Sequence, residues 1–367
     1  MKILITGICG FVGSTLATIL RDQGHAVCGC DNFIRPGSET NREKLKAHDI
    51  AVCHADIRSC SDVNSLPACD WIIDAAANPS VMAGVDGSTS SRQLIEHNLN
   101  GTINILEYCK ARNAGLTLLS TSRVYAIRPL ADLKMRVQNE AFVPIFGERE
   151  SSTLAGDCPP GLSSQGVAES FSTTAPISLY GSTKLASEVL ALEYGATFGF
   201  PVGINRCGVL AGAGQFGKAD QGIFSFWIHS WKTGRPLRYI GFGASGHQVR
   251  DCLHPRDLVP LIESQFAAPA SSSRPKIVNL SGGVENSMSL AQLSAWCRDR
   301  LGPSHSEFHI SNSPLAGNRP FDIPWMVLDN TLASETWDWR PATPIHEVLE
   351  EIAQHAEANP DWLDLVT

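Results

Sequence analysis

"MKILITGICGFVGS", residues 1–14, joins a strand to a helix through three glycines. "KILIT" (2–6) is a short apolar run that reads as a buried strand, and "FVGSTLATILRDQG" (11–24) carries helical spacing. Gly7, Gly10 and Gly13 lie in the turn between them, where backbone without Cβ atoms lets a pyrophosphate sit against the helix N-terminus, at Phe11 and Val12. Such a loop carries weight only with an acidic residue about 20 positions on to hold a ribose. Asp31 closes the next strand 18 residues after Gly13. Its carboxylate binds both ribose hydroxyls and repels a 2′-phosphate, so NAD is expected rather than NADP. Arg35, close by, weighs the other way.

Two rival glycine loops follow. "LAGAGQFGKADQG" (210–222) has the literal Gly-x-Gly-x-x-Gly spacing at Gly212, Gly214 and Gly217, but no strand-closing acid lies about 20 residues on. "GFGASG" (241–246) leads into "HQVRDCLH", an extended segment with no helix dipole to offer. The first loop is therefore the expected dinucleotide site; the others read as turns or as a cradle for a second phosphate-bearing ligand.

Outward from residue 14, short apolar runs alternate with helical stretches. The strand-like runs are 2–6, 25–31, 50–56, 71–77, 116–122 and 201–207; the helices fall near 11–23, 92–113 and 180–199. That alternation predicts βαβ units and an α/β, Rossmann-type doubly wound parallel sheet over residues 1–207. After 207 the pattern loosens into turns, a Trp/Phe-rich helix ("GIFSFWIHSWKTG") and single strands such as "LRYIG" and "KIVNLSG". Residues 208–367 are expected to form a smaller, interleaved substrate-binding domain. The stretch 126–176, rich in Pro, Ser and Gly and without a clear period, reads as a lid or a partly disordered insertion.

Composition narrows the class of function. The 367 residues carry 29 Lys+Arg against 37 Asp+Glu, a net charge of −8, which leaves no electrostatic footprint for nucleic acid. No apolar run approaches the roughly 18–20 residues of a membrane span, and "MKILITG" is too short for a signal peptide, so a cytoplasmic protein is expected. The eleven cysteines include no CxxC pair; "HAVCGCD" (25–31) alternates like a buried strand, so neither zinc nor disulfides are expected. The aromatics of "SFWIHSWKTGRPLRY" read as core, and His254 and Asp257 as a hydrogen-bonded turn.

The chemistry is read from "SLYGSTKLASEVL" (178–190), where Tyr180 and Lys184 share one helical face. A free tyrosine titrates near 10, so a base acting near neutrality needs a depression of about three units, roughly 4 kcal/mol. An ammonium one turn away and a cationic nicotinamide ring supply a field of the right sign. A partner hydroxyl belongs at the C-terminal end of a parallel strand, where "LLSTSRVY" offers Ser120, Thr121 and Ser122.

"TGICGFVGS", Asp31-Asn32, Asp56, "DAAANPSV", "HNLNGTINILE", "STSRVY" and "YGSTK" together resemble the extended short-chain dehydrogenase/reductase family over nearly the whole chain. Members are largely NAD-dependent sugar-nucleotide epimerases, dehydratases and decarboxylases. The resemblance implies Tyr180 as catalytic base, Lys184 as its electrostatic partner and Thr121 as the hydroxyl. It also implies Asp56 and Ile57 at the adenine, Ala75, Ala76 and Ala77 along the cofactor, and Asn98 behind the tyrosine. Dehydratases of that family carry Asp-Glu directly after the threonine and decarboxylases a Glu at the second position. Ser122 and Arg123 stand here, which leaves reversible hydride transfer.

"AGAGQFGKADQGIFSFW", "GHQVRDCLHPRDL" and "NLSGGVENSMSL" resemble the branch of the family that inverts carbon-2 of CDP-sugars. This implies substrate contacts from Ser122, Arg123, Gln215, Phe216, Gln248 and Arg250, with Asp220 and Gln221 in the same motif. The chain departs from that branch at Gly214 and Pro324, where arginines are expected, with Arg319 as a possible replacement, and many family members place an asparagine where Val209 stands. A UDP-sugar or other 4-epimerase, an oxidoreductase or dehydratase of the same fold, and remotely a non-catalytic nucleotide sensor remain as alternatives. The helices near 92–113 and 180–199 are those that pair into a homodimer in this family.

Overall fold

The computed structural model describes residues 1–85, 87, 90–146, 158–219, 221–303 and 321–366. A seven-stranded, wholly parallel sheet forms the centre. Lys2–Thr6 lies inside it, next to the central strand Trp71–Asp74. On one side follow Ala26–Asp31 and Ala51–His54; on the other Trp71–Asp74, Gly115–Thr121, Val202–Cys207 and Ile277–Leu280. The chain reverses its direction of travel across the sheet between the first and fourth strands, and ligands bind at the carboxyl ends of strands at such a switch. Six strands fall on the six predicted runs because both faces are covered: Ile3, Leu4 and Ile5 are all fully buried, in two different apolar clusters.

The seventh strand comes from beyond residue 207, so the chain returns to the large sheet after building its smaller part. That part centres on a three-stranded sheet of Ser287–Ser289, Val249–Asp251 and Trp325–Met326. Asp251 sits at its heart, accepting hydrogen bonds from the backbone N–H groups of Val209 (2.9 Å) and Leu328 (3.0 Å).

One expectation is corrected. "LRYIG" is not a strand. Tyr239 instead stacks on Trp227 (5.5 Å between rings) and donates to the Ser294 hydroxyl at 2.7 Å, so side-chain anchors rather than a ladder hold the run. The described parts of 126–176 pack into the smaller domain, and residues 147–157 of that stretch lie outside the described residues. A hairpin of Met135–Gln138 and Ala141–Pro144 is fixed by Phe142 N–H to His247 O (2.8 Å) and by the Ser289 hydroxyl to Glu140 O (2.6 Å). Ala126, Leu130, Ala141, Leu162, Val167 and Phe171 from this region form one apolar cluster with Trp325, Met326 and Leu328. Their spacing has no period because the cluster draws single residues from several short elements.

The helical stretch 92–113 is Ser91–Ile95, a π-helical turn Glu96–Asn100, and Gly101–Arg112. The π turn carries Asn98, which is fully buried. Among the described residues no helix is long and apolar enough to cross a membrane.

Candidate active site

The opening glycine loop builds the floor of a cleft of about 450 Å³ at the carboxyl ends of the strands. Gly7 has φ +62°, and a Cβ there would lie 2.9 Å from Ala76 Cα. A Cβ on Gly13 would lie 2.3 Å from the Gly7 carbonyl oxygen, so the turn can close only on glycine. Gly10 donates its N–H to that carbonyl at 2.9 Å, and the helix from Phe11 begins with no side-chain cap, leaving its first N–H groups for an anion.

Gly7, Asp31, Asn32, Arg35, Asp56, Ile57, Ala76 and Ala77 line this cleft. Gly10, Phe11, Val12 and Gly13 form the turn and helix beneath it, and Ala75 packs behind, its N–H held by the Thr6 hydroxyl at 3.1 Å. The Asp31 carboxylate accepts from Cys9 N–H (3.0 Å) and Phe33 N–H (2.8 Å), while burial pushes its pKa up. Asp56 is gripped by Arg58 and by the Asn32 amide (3.0 Å), which hold its carboxyl well below the usual range. Arg35 turns away from a 2′-phosphate role: its guanidinium donates to Gln221 Oε1 (2.6 Å) and to the Phe216 carbonyl.

Tyr180 and Lys184 lie one turn apart on the buried face of the helix Leu179–Phe198. Gly181 makes this placement possible, since a Cβ there would meet the Arg123 carbonyl oxygen at 2.2 Å. The helix N-terminus is thereby pressed against the end of the Gly115–Thr121 strand. Burial pushes the Tyr180 phenol up to about 12, while the Thr121 hydroxyl and the Arg123 cation draw it back. In the protein by itself Arg123, rather than Lys184, supplies the cationic field on the phenol. Burial pushes the Lys184 ammonium down, and Asp74, Glu188 and the Cys207 thiol hold it up.

Asn98 ties this helix to the cofactor cleft. Its amide accepts from Asn78 N–H (2.8 Å) and donates to Asn78 O (3.0 Å) and the Thr183 hydroxyl (3.3 Å).

The residues fit a dinucleotide. The glycine cradle is closed to any side chain, and the buried Lys184 ammonium makes no hydrogen bond among the described residues. His97, on the cleft wall, buries an Nε2 that also lacks a partner. NAD would be held by the glycine turn, Asp31 and Lys184, and would supply a reversible oxidant for a secondary alcohol.

A second cleft of about 470 Å³ adjoins the first, with Gln221 on both walls. Arg123, Gln248 and Arg250 line it, and Gln248 buries an Oε1 with no partner. Arg250 pairs with Asp322 at 3.3 Å, and Arg123 donates to the Phe321 carbonyl at 3.2 Å. Burial and the neighbouring Arg250 hold Arg123 down to about 10, and burial also lowers Arg250. Two crowded guanidinium groups share one carboxylate, so the cleft favours an anionic guest.

The rival Gly-x-Gly-x-x-Gly loop forms part of the boundary between the clefts. Gln221 and Gly222, with Ile223, Phe224, Phe226 and Trp227 of the following helix Ile223–Thr233, face the second cleft. Gln215 and Phe216 do not line it: Gln215 Nε2 donates to Leu210 O (2.7 Å) and Phe216 stacks on Trp362 (5.2 Å). Ser122 is buried in the turn after Thr121. Arg319 and Asp220 lie outside the described residues. His254 caps the turn at Arg256 N–H (3.1 Å), and Asp257 accepts from Ala342 and Thr343 N–H (3.1 and 3.0 Å).

Sequence reasoning missed the buried network beneath the site. Glu188, the next residue on the Tyr180–Lys184 face, accepts from Arg206 Nε (3.1 Å) and Nη2 (2.7 Å) and from the Ser120 hydroxyl. Arg206 donates on to Tyr125 (3.2 Å), which donates to Asn279 (2.6 Å). The signal was present: an arginine inside a strand buried on both faces, and a glutamate one turn beyond a buried lysine, each require a partner. Trp227, Arg238 and Asp322 of the second cleft carried no such local signal.

The chain is similar over nearly its whole length to known sugar-nucleotide epimerases. A CDP-paratose 2-epimerase of Salmonella typhi is 28% identical over 93% of this chain and 95% of its own. A UDP-glucuronate 4-epimerase of Thermodesulfobacterium geofontis is 24% identical over 97% and 96%. In fold, the chain is similar to UDP-glucuronic acid 4-epimerase of Bacillus cereus, solved with UDP-glucuronic acid and NAD (TM-score 0.70, 22% identity, 98% and 99% covered). The model of the NAD dependent epimerase/dehydratase family matches residues 3–144 and 148–281, and by that match over most of its length the chain belongs to this family of NAD-dependent enzymes.

Proposed function

We propose that this protein epimerises a nucleotide-diphosphate sugar, inverting carbon-2 of a CDP-sugar. One observation carries the reading: Tyr180, with the Thr121 hydroxyl at its phenol, packs against Ala83 of the dinucleotide cleft and Val81 of the cation-lined cleft, and the two positions after Thr121 hold Ser122 and Arg123 in place of carboxylates. Elimination or decarboxylation lacks its acid or base there. The extended likeness to a CDP-paratose 2-epimerase supports carbon-2 and cytidine.

In this reading Arg250 and Arg123 hold the diphosphate end and aim the sugar at Tyr180. Tyr180 Oη takes the proton of the sugar hydroxyl, with Thr121 donating to the phenolate and the Arg123 cation lowering its cost. The same Oη returns that proton once the sugar has presented its other face. Burial of the phenol excludes water from both transfers.

The test is Tyr180→Phe with a panel of CDP- and UDP-sugars, products resolved by NMR. Turnover falls about 10²–10⁴-fold while bound NAD stays stoichiometric. Wild-type turnover in this variant refutes the mechanism. Turnover of UDP-sugars with inversion at carbon-4, and none of CDP-sugars, favours the second reading, which the 24% identical UDP-glucuronate 4-epimerase supports. A homodimer is part of the proposal: Leu179, Val189 and Phe198 stand exposed on the tyrosine helix. So is a cytoplasmic setting, supported by eleven unpaired cysteines.

A further inference from the structure

We propose that Arg35 is the latch that retains the cofactor, and that through Gln221 it couples cofactor release to occupancy of the substrate cleft. The proposal rests on NAD as cofactor and does not depend on which sugar is turned over.

Arg35 and Gln221 line the same dinucleotide cleft from opposite sides. Arg35 follows Asp31 and Asn32 on the ribose-side loop; Gln221 belongs to the loop that leads into the substrate-cleft helix. They are bonded directly, Arg35 Nη1 to Gln221 Oε1 at 2.6 Å, and Arg35 Nη2 donates to the Phe216 carbonyl. Charge-assisted bonds from a guanidinium to these oxygens are strong enough to order a loop.

Each end of the latch is anchored. On the cofactor side the Ser38 hydroxyl donates to Arg35 O at 2.7 Å. On the other, the Gln215 carbonyl accepts from the Ser225 hydroxyl and the Trp362 indole N–H, each at 3.0 Å. Phe216 is clamped between Trp362 and Gly37, where a Cβ would come within 2.9 Å of the ring. The Arg35 bonds are thus a polar link across this boundary, beside the stacking of Phe216 on Trp362. Because Gln221 is also a wall of the second cleft, a guest there that steadies residues 221–222 steadies the latch. By linkage, each ligand then tightens the other.

The experiment measures exchange of bound NAD for isotope-labelled NAD by mass spectrometry of the denatured protein. It compares the native chain with Arg35→Ala and Gln221→Ala, with and without CDP or UDP. The proposal expects exchange at least tenfold faster in Arg35→Ala and severalfold faster in Gln221→Ala. It also expects a slowing by CDP or UDP in the native chain that both variants lose. Gln221→Ala removes one amide from an edge position, so it reports even where Arg35→Ala folds poorly. Native exchange rates in both variants overturn the latch. Exchange unaffected by either nucleotide overturns the coupling. A loss of NADP affinity in Arg35→Ala with NAD exchange unchanged assigns Arg35 to a 2′-phosphate instead, and equally overturns the proposal.

Discussion

Replacing Glu188 by Ala would leave the Arg206 guanidinium buried without its counter-ion. The side chains of Arg206 and Glu188 are 6% and 1% exposed, and their contacts at 2.7, 3.1 and 3.2 Å form a bidentate grip. Removing one partner of such a pair costs about 3–5 kcal/mol, most of it the stranded charge. At about 2.1 cal/mol/K per residue, the 367-residue chain unfolds with an entropy of about 0.8 kcal/mol/K, so the melting temperature should fall by about 4–6 °C. Circular-dichroism melting of the holoenzyme reads this directly. The double variant Glu188→Leu/Arg206→Met removes both charges and should recover most of the loss, because the desolvation cost disappears with them. Function supplies a second readout. Glu188 holds the Lys184 pKa up, so the alkaline limb of kcat in Glu188→Ala should move to lower pH. A melting temperature within 1 °C of the native chain, or a double variant no better than the single one, would refute the argument.

His229 is fully buried beside His355, and burial with the His355 and Arg235 charges pushes it down to about 3. The unfolded state takes up that proton near 6.5, so its contribution to stability is complete above pH 6.5 and is lost as pH falls towards 3, about 2 kcal/mol by pH 5. Urea midpoints at pH 7.5 and 5 test this against His229→Gln, in which that part of the slope should vanish; an identical slope in both proteins contradicts it. Gly13→Ala places a Cβ 2.3 Å from the Gly7 carbonyl oxygen, so NAD content after purification should drop below about a tenth; a full complement of NAD would show that the turn tolerates a side chain. Val189, 54% exposed on the tyrosine helix, should lie in the proposed dimer contact. Light scattering should report a dimer for the native chain and the 39.6 kDa monomer for Val189→Glu, and a monomeric native chain removes the dimer.

The amino-acid sequence by itself determined the parallel sheet, the glycine turn with Asp31, and the Tyr180–Lys184 face. Each is written in the spacing of near neighbours: apolar runs of strand length, a glycine triplet between strand and helix, and residues four apart on one helix. Local spacing also misled. "LRYIG" has strand composition but forms no ladder, and the absence of a period in 126–176 hid a cluster assembled from single residues of several short elements. Only the tertiary structure decided what Arg35 holds, since Gln221 lies 186 positions away, or that Tyr125 closes the Glu188–Arg206 network onto Asn279, 154 positions away. Only it turned Phe216 onto Trp362 and set Arg123 beside the catalytic phenol. A side chain's own neighbours in sequence set its backbone state and its face. Its partners in space, and therefore its charge, reach and chemistry, are set by which distant segments the fold brings against it.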